Sequence, residues 1–426
     1  MKNLLLLLSI FLSLQLIAQN TQYQIDSLIS EGNYLQALDE AKALVSEDSL
    51  NADNWGLLGK TYRLNLKYTN AIKAYERAND LKPEDKSLLL TLAKIYHTAG
   101  EQNKAIEVYK QVLGLDSSNT AAWVSLSALY IKTMKFDDAY KIFNHLYLSD
   151  TLNSEYVRQM GYCQYRMGEI VVAFELYKKS YRLNPENLKT IYWLADVYTN
   201  SQKYDSTINM VSEALKVYPG NGKLYAKRGN AYFKKNHHYL SSADYQKAID
   251  LGYKSYLVQK YLGKSLYAIK KYDEARETLE QLIVRDTADF QICMYLGGIY
   301  NELKDYKKSL LFYEFAIDLL KPEPMSMVAI YRGMEITYRN LHQYHKEIAA
   351  IKKRHVYQKQ FADFDYHLLE IATIYEDDLH DKKSALKYYQ KYYDMIKNID
   401  NDYYQQKAEK LLAKINRLKE DLHFEQ

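Results

Sequence analysis

Residues Ala52–Asp85 read ADNWGLLGKTYRLNLKYTNAIKAYERANDLKPED, and this stretch decides the fold. Trp55, Leu58, Gly59 and Tyr62 recur at the spacing of one helix face. Tyr68, Ala71, Tyr75 and Ala78 do so again a few residues later. Pro83 stops the second run, because proline cannot continue the hydrogen-bond ladder of a helix. The stretch predicts two amphipathic helices joined by a short turn.

The pattern returns every 34 residues along the chain. Stepping from Gly59 gives Ala93, Ser127, Gly161, Ala195, Gly229, Gly263 and Gly297, all small. A second small column runs Ala37, Ala71, Ala105, Ala139, Ala173, Thr207, Ser241, Ala275 and Ser309. Two aromatic columns accompany them, one through Tyr62, Tyr96, Tyr130, Tyr198, Tyr232 and Tyr300, the other through Tyr75, Tyr109, Phe143, Tyr177, Tyr245 and Tyr313. A large side chain where two helices cross closely would overpack the contact at about 1–3 kcal/mol, so small residues facing large ones set the register. Gln164 and Leu266 interrupt the first aromatic column, and Gln259 stands where Trp55 and Trp123 stand elsewhere. Several inter-helix turns lack the proline of Pro83, Pro185 and Pro219 and carry Ser117, Thr151, Tyr253 or Thr287 instead. Capping by Asp, Ser or Thr is expected to hold those turns. After Pro322 and Pro324 the register slips by four residues, resuming near Tyr331, Tyr338, Tyr344 and Ile351, and a last hairpin has one extra residue between Tyr375 and Ala385.

This register resembles the tetratricopeptide repeat (TPR), a helix–turn–helix unit of 34 residues. The resemblance implies an all-α fold, a right-handed α-solenoid superhelix of about eleven TPR-like hairpins with a C-terminal capping helix. The expected divisions are a signal peptide at 1–18, hairpins one to nine at 19–323, divergent hairpins at 324–400 and the cap at 401–426. In the cap, Leu411, Leu412, Ile415, Leu418 and Leu422 fall at helical spacing. A homodimer through this helix is the alternative use of its apolar seam.

Met1–Asn20 reads MKNLLLLLSIFLSLQLIAQN, one lysine followed by an apolar run from Leu4 to Ala18. At about 15 residues the run suits a secretory signal and is short for a membrane span. The chain is therefore expected outside the cytoplasm, periplasmic or cell-surface associated in a Gram-negative bacterium, with no membrane span after cleavage. Asp26-Ser27, Asp48-Ser49, Asp150-Thr151, Asp205-Ser206 and Asp286-Thr287 resemble the O-glycosylation site of some exported bacterial proteins. The same serines and threonines are placed to cap the helices that follow.

Only 15 glycines and 5 prolines among 426 residues suit a helical array, which needs little of either. Most of the 44 tyrosines fall on the packing columns. Cys163 and Cys293 lie about four repeats apart, too distant for a disulfide, and read as small packing residues. No Gly-rich phosphate loop, paired-histidine metal motif or nucleophile elbow is present, so no enzymatic activity, metal or cofactor is expected. His342, His345, His355, His367 and His380 gather without a fixed third ligand.

The resemblance implies that the first helix of each hairpin lines the concave groove. From Ala52 to Asn340 its inward positions hold thirteen lysines and arginines, Lys60 and Arg339 among them, against the acids Asp53, Glu155, Asp196 and Glu302. The candidate partner-binding residues are Arg158, Tyr162, Tyr165, Arg166, Lys189, Tyr192, Lys223, Phe233, Lys234, Lys260, Lys264 and Tyr267. Cations interleaved with rings suit an extended or helical protein segment bearing acids and apolar anchors. The family's clamp for a C-terminal carboxylate is matched only at Asn230, beside Ala226 rather than a lysine, and is not carried over. The expected function is a non-enzymatic protein–protein interaction scaffold or adaptor of the cell envelope. An envelope-glycan or lipid-carrier binder is the alternative. Nucleic acid is not an expected partner, because the export signal removes the chain from such targets.

Overall fold

A computed structural model describes residues 21–283, 289–319, 323–359 and 366–424. The expected signal at 1–18 and the Asp286-Thr287 pair lie outside them. All regular structure among the described residues is helical. The chain divides into two compact units, Met1–Leu194 and Ala195–Gln426.

In the first unit α1 (21–30) pairs with α2 (Tyr34–Glu47), α3 (Ala52–Leu64) with α4 (Tyr68–Leu81), and α5 (Lys86–Ala99) with α6 (Gln102–Leu115). Next come α7 (Thr120–Lys132) with α8 (Phe136–Ser149) and α9 (Ser154–Arg166) with α10 (Ile170–Leu183). The unit boundary falls within α11 (Leu188–Asn200). In the second unit α12 (Tyr204–Val217) is followed by the pairs α13 (Gly222–Lys234) and α14 (His238–Asp250), then α15 (Tyr256–Ala268) and α16 (Tyr272–Ile283). After them stand α17 (Phe290–Glu302) with α18 (Tyr306–Leu319) and α19 (Pro324–Asn340) with α20 (Tyr344–Gln358). Finally α21 (His367–Thr373) runs into a π-helical turn at Ile374–Asp378 and pairs with α22 (Lys382–Ile396), and α23 (Asp402–Phe424) closes the unit. With α11 and α12 joined where the Thr207 hydroxyl donates to the Ala195 carbonyl, the fold is an all-α solenoid of eleven hairpins and one further helix among the described residues.

The columns are the crossings. A Cβ added at Gly59 would come within 2.7 Å of the Tyr75 ring, and at Gly161, Gly229 and Gly297 within 2.9, 3.1 and 2.8 Å of Tyr177, Tyr245 and Tyr313. Each first-helix glycine thus makes room for the large residue of its own second helix. The second small column is sealed by hydroxyl pairs where it holds Ser or Thr: Ser241 meets Ser265 at 2.8 Å and Ser309 meets Thr337 at 3.0 Å. Cys163 and Cys293 are free and buried, and burial pushes their thiols up to about 12 and about 11.

Two further columns hold the turns. Within each hairpin the chain passes through a left-handed residue, at Gly32, Leu66, Gly100, Met134, Gly168, Gln202, Asn236, Lys270, Lys304, His342 and His380, with φ between 52° and 92°. The next amide closes back onto the helix, as Lys67 N–H donates to the Tyr62 carbonyl at 2.9 Å, the bond of a Schellman cap. Between hairpins, each first helix from α3 to α17 starts on a side-chain cap. Asn51, Asn119, Asn153 and Asn221 accept amide hydrogens of α3, α7, α9 and α13, as Asn187 does for α11. Asp85, Ser255 and Asp289 do the same for α5, α15 and α17. Caps by Asp, Ser or Thr were the expectation; asparagine supplies five of these eight, one residue before the helix. In Asp48-Ser49 and Asp150-Thr151 the aspartate, rather than the hydroxyl, accepts the amides of Leu50 and Leu152.

The register changes have simple causes. Helix α19 has 17 residues where α17 has 13, so the four-residue slip is one added helical turn that keeps each face in place. The single extra residue after Tyr375 is absorbed by the π-helical turn, where Leu379 N–H reaches the Ile374 carbonyl and Asp381 N–H the Tyr375 carbonyl. In α23, Ala408, Leu411, Ile415 and Leu418 are buried in one cluster with Ala385, Tyr389, Tyr392 and Ile396. Leu411, Ile415 and Leu418 of the apolar seam are therefore covered by the chain's own last hairpin, while Leu412 stays 39% exposed.

Candidate partner-binding site

The first helices α9, α13 and α15 carry most of the candidate residues, α9 in the first unit and α13 and α15 in the second. In the first unit Arg158 is buried and spent on Glu155, with Nε–Oε2 at 2.8 Å and Nη2–Oε1 at 2.5 Å. Glu155 is held below the usual carboxylate range by Arg158, and Lys189 adds to this, although burial opposes it. About two turns on, exposed Arg166 donates to the Tyr162 hydroxyl at 2.8 Å and lies 4.5 Å over the ring of Phe136. Tyr165 is 43% exposed and meets Trp193 edge-on at 5.8 Å, while Trp193 stacks on Tyr177 at 4.0 Å. Lys189 is exposed, and Tyr192 is half-buried.

In the second unit the geometry converges on Lys264. Its ammonium stands 5.0 Å from the ring centre of Tyr295, 5.3 Å from Tyr261 and 5.6 Å from Phe233, drawn from α17, α15 and α13. Phe233 and Tyr261 touch at 4.9 Å, and Tyr267 meets Tyr295 at 5.6 Å. No carboxylate among the described residues forms an ion pair with Lys264. Burial pushes its amine below the usual lysine value, and Lys260 and Lys234 add to the shift against the pull of Asp289. Lys260 differs, because it is paired with Asp289 at 2.6 Å, both side chains only 13% exposed, while Tyr256 donates to the same carboxylate. Lys234 is exposed and Lys223 half-exposed.

Several inward cations are paired. Lys60 meets Asp26, which stands in the same column one repeat ahead of the counted stretch, while Lys260 meets Asp289 and Arg339 meets Glu347, acids outside the inward positions. Pairing runs the other way too, since Lys82 meets the inward Asp53 and Lys227 the inward Asp196, so which cations stay unpaired is decided residue by residue. Sequence reasoning missed Tyr261 and Tyr295, although they stand 34 apart. It also missed Phe136, which belongs to an aromatic column at second-helix starts with Tyr34, Tyr68, Tyr204, Tyr272 and Tyr306. No group of three metal-capable side chains occurs among the described residues.

Two family models match this chain: the cytochrome c-type biogenesis protein H TPR domain over residues 42–154, and the tetratricopeptide repeat over residues 261–324. The chain is a tetratricopeptide-repeat protein. The repeat protein is 30% identical over 163 residues to TPR repeat-containing protein MJ1428 of Methanocaldococcus jannaschii, 38% of this chain and 27% of that one. It is 27% identical over 169 residues to BBSome complex member BBS4 of Bos taurus, 40% of this chain and 33% of that one. Both alignments cover a third or less of those relatives. Among solved structures, a tetratricopeptide repeat protein from Parabacteroides merdae superposes with a TM-score of 0.41 at 17% identity, over 58% of this chain and 98% of that one.

Proposed function

We propose that this repeat protein is a non-enzymatic scaffold of the bacterial cell envelope, holding partner polypeptides against the first-helix faces of its hairpins. Proteins built of such repeats generally serve protein–protein interaction, and that coarser role is common to the family. The observation that carries the finer reading is Lys264, a cation ringed by Phe233, Tyr261 and Tyr295 with no carboxylate partner among the described residues. A partner's acid would supply that missing charge, and its apolar neighbours would meet the rings. In the first unit Arg166 and Tyr165 offer a cation and an exposed ring on the same terms. The envelope location rests on the apolar run at Leu4–Ala18.

Crosslinking in the native envelope, with mass identification of what is captured, tests the reading. Capture of a defined polypeptide is expected, falling with rising salt and in the Lys234→Glu/Lys264→Glu variant. Capture unchanged in that variant removes the face from the account, and retained sugar or lipid in place of polypeptide replaces the reading with a glycan- or lipid-carrier binder.

A further inference from the structure

Helix α23 carries Tyr403, Lys407, Lys410, Lys414 and Arg417 at steps of three and four residues, one face about 20 Å long at 1.5 Å per residue. Ala408, Leu411, Ile415 and Leu418 are buried in the cluster with α22, so this basic face runs along the edge of that seam. Two cavities open there. One, about 260 Å³, is lined by Leu369, Tyr389, Tyr392, Lys407, Lys410 and Lys414 among others. The other, about 760 Å³, is lined by Glu376, His380, Lys382, Lys414, Arg417 and Asp421 among others.

Charge along this edge is only partly balanced. Lys414 pairs with Glu376 at 2.6 Å, and Lys382 with Asp421 at 3.4 Å. No carboxylate among the described residues pairs with Lys407, Lys410 or Arg417. Lys407 instead stands 4.2 Å over the ring of Tyr366 and 5.5 Å from that of Tyr392. Tyr392 is wholly buried, and its hydroxyl lacks a hydrogen-bond partner among the described residues. An orphaned buried hydroxyl carries a desolvation cost that an incoming acceptor would relieve.

We propose that the trough between α23 and the α21–α22 hairpin is a second docking site, separate from the first-helix face, for a short acidic polypeptide segment. Three cations without a carboxylate partner, Lys407 and Lys410 one step apart and Arg417 beyond the paired Lys414, suit carboxylates spaced along a backbone. The tyrosine- and leucine-lined cavity takes an apolar or aromatic side chain between them, and the recess keeps a flat sheet of lipid headgroups from reaching its floor.

Fluorescence anisotropy of the full chain with a fluorescein-labelled peptide of alternating Glu and Tyr, against a Gln–Tyr peptide of equal length, tests this. The acidic peptide should bind and the neutral one should not. Lys410→Glu with Arg417→Glu, both exposed, should weaken binding about tenfold or more with an unchanged melting curve, while Lys264→Glu should leave it intact. Where charge reversal unfolds the cap, Lys410→Gln with Arg417→Gln should give a smaller loss in the same direction. No binding, binding indifferent to these changes, or loss in Lys264→Glu instead would overturn the proposal. So would recruitment to phosphatidylglycerol vesicles through Lys410 and Arg417 without peptide binding, which would assign the trough to a membrane surface.

Discussion

In α13–α18 a glycine on each first helix faces Tyr245, Leu279 or Tyr313 on the second. Between α19, α20 and α21 the corresponding space holds Glu335, Glu347, Glu370, Arg339 and Arg354. With the four-residue slip included, Glu335 stands in the column of Gly297 and Glu347 in that of Ser309. Both glutamates are buried, Glu347 completely. Arg339 bonds one oxygen of Glu347 at 2.8 Å and leaves its other oxygen unpartnered. Arg354 reaches Glu370, and lies 3.1 Å from Glu335 Oε1 too poorly aligned for a hydrogen bond. Where a small residue lets helices touch, apolar contact holds the hairpin. Where a glutamate replaces it, the contact depends on its arginine.

The sharpest way to break this comparison is to remove the arginine. Arg354→Ala leaves Glu335 and Glu370 facing each other, and a loss of about 3–5 kcal/mol is expected for the α19–α22 region. Urea unfolding followed by hydrogen exchange reads it, and a loss confined to a few tenths would sink the ionic account. Next comes Gly297→Leu, which drives a side chain into Tyr313 and should cost about 1–3 kcal/mol in the α17–α18 hairpin.

The pH dependence should separate the two regions further. Burial raises Glu335 to about 7, with Arg354 opposing and Glu370 and Glu347 reinforcing. Arg332 also opposes it, and Glu347 is itself raised by burial, with Asp378 and Glu370 adding to that shift against Arg339. An acid raised in the fold binds more protons folded than unfolded, so stability should fall as pH climbs from the ordinary glutamate value toward about 7. Glu335→Gln should flatten that fall in melting curves, and an unchanged slope would remove Glu335 as its source. The smallest effect belongs to the turns. Leu66→Gly or Met134→Gly should raise stability by up to about 1 kcal/mol, since both hold the left-handed conformation that costs an ordinary residue more than glycine.

The hairpins were legible because close packing repeats: Gly59 and Tyr75 carry one contact, and so do Gly297 and Tyr313. The asparagine caps are equally periodic at Asn51, Asn119, Asn153, Asn187 and Asn221, although Asp, Ser or Thr were the expected caps. The left-handed turns were hidden for a physical reason. The position demands a backbone angle and no particular side chain, so Leu66, Gln202 and Lys304 share it. The candidate site was legible in residue type and not in charge. Which lysine is neutralised depends on acids such as Asp289, brought close by the stacking of helices rather than by proximity in the chain.

The added turn of α19 and the π-helical turn at Ile374–Asp378 show how such a chain tolerates changes of length. Four residues make a whole revolution and return every side chain to its bearing, whereas one residue must be taken up in a local bulge. Growth within a hairpin therefore proceeds in near-integral steps, and a two-residue insertion in the middle of α17 would turn its ring-bearing side away from Lys264.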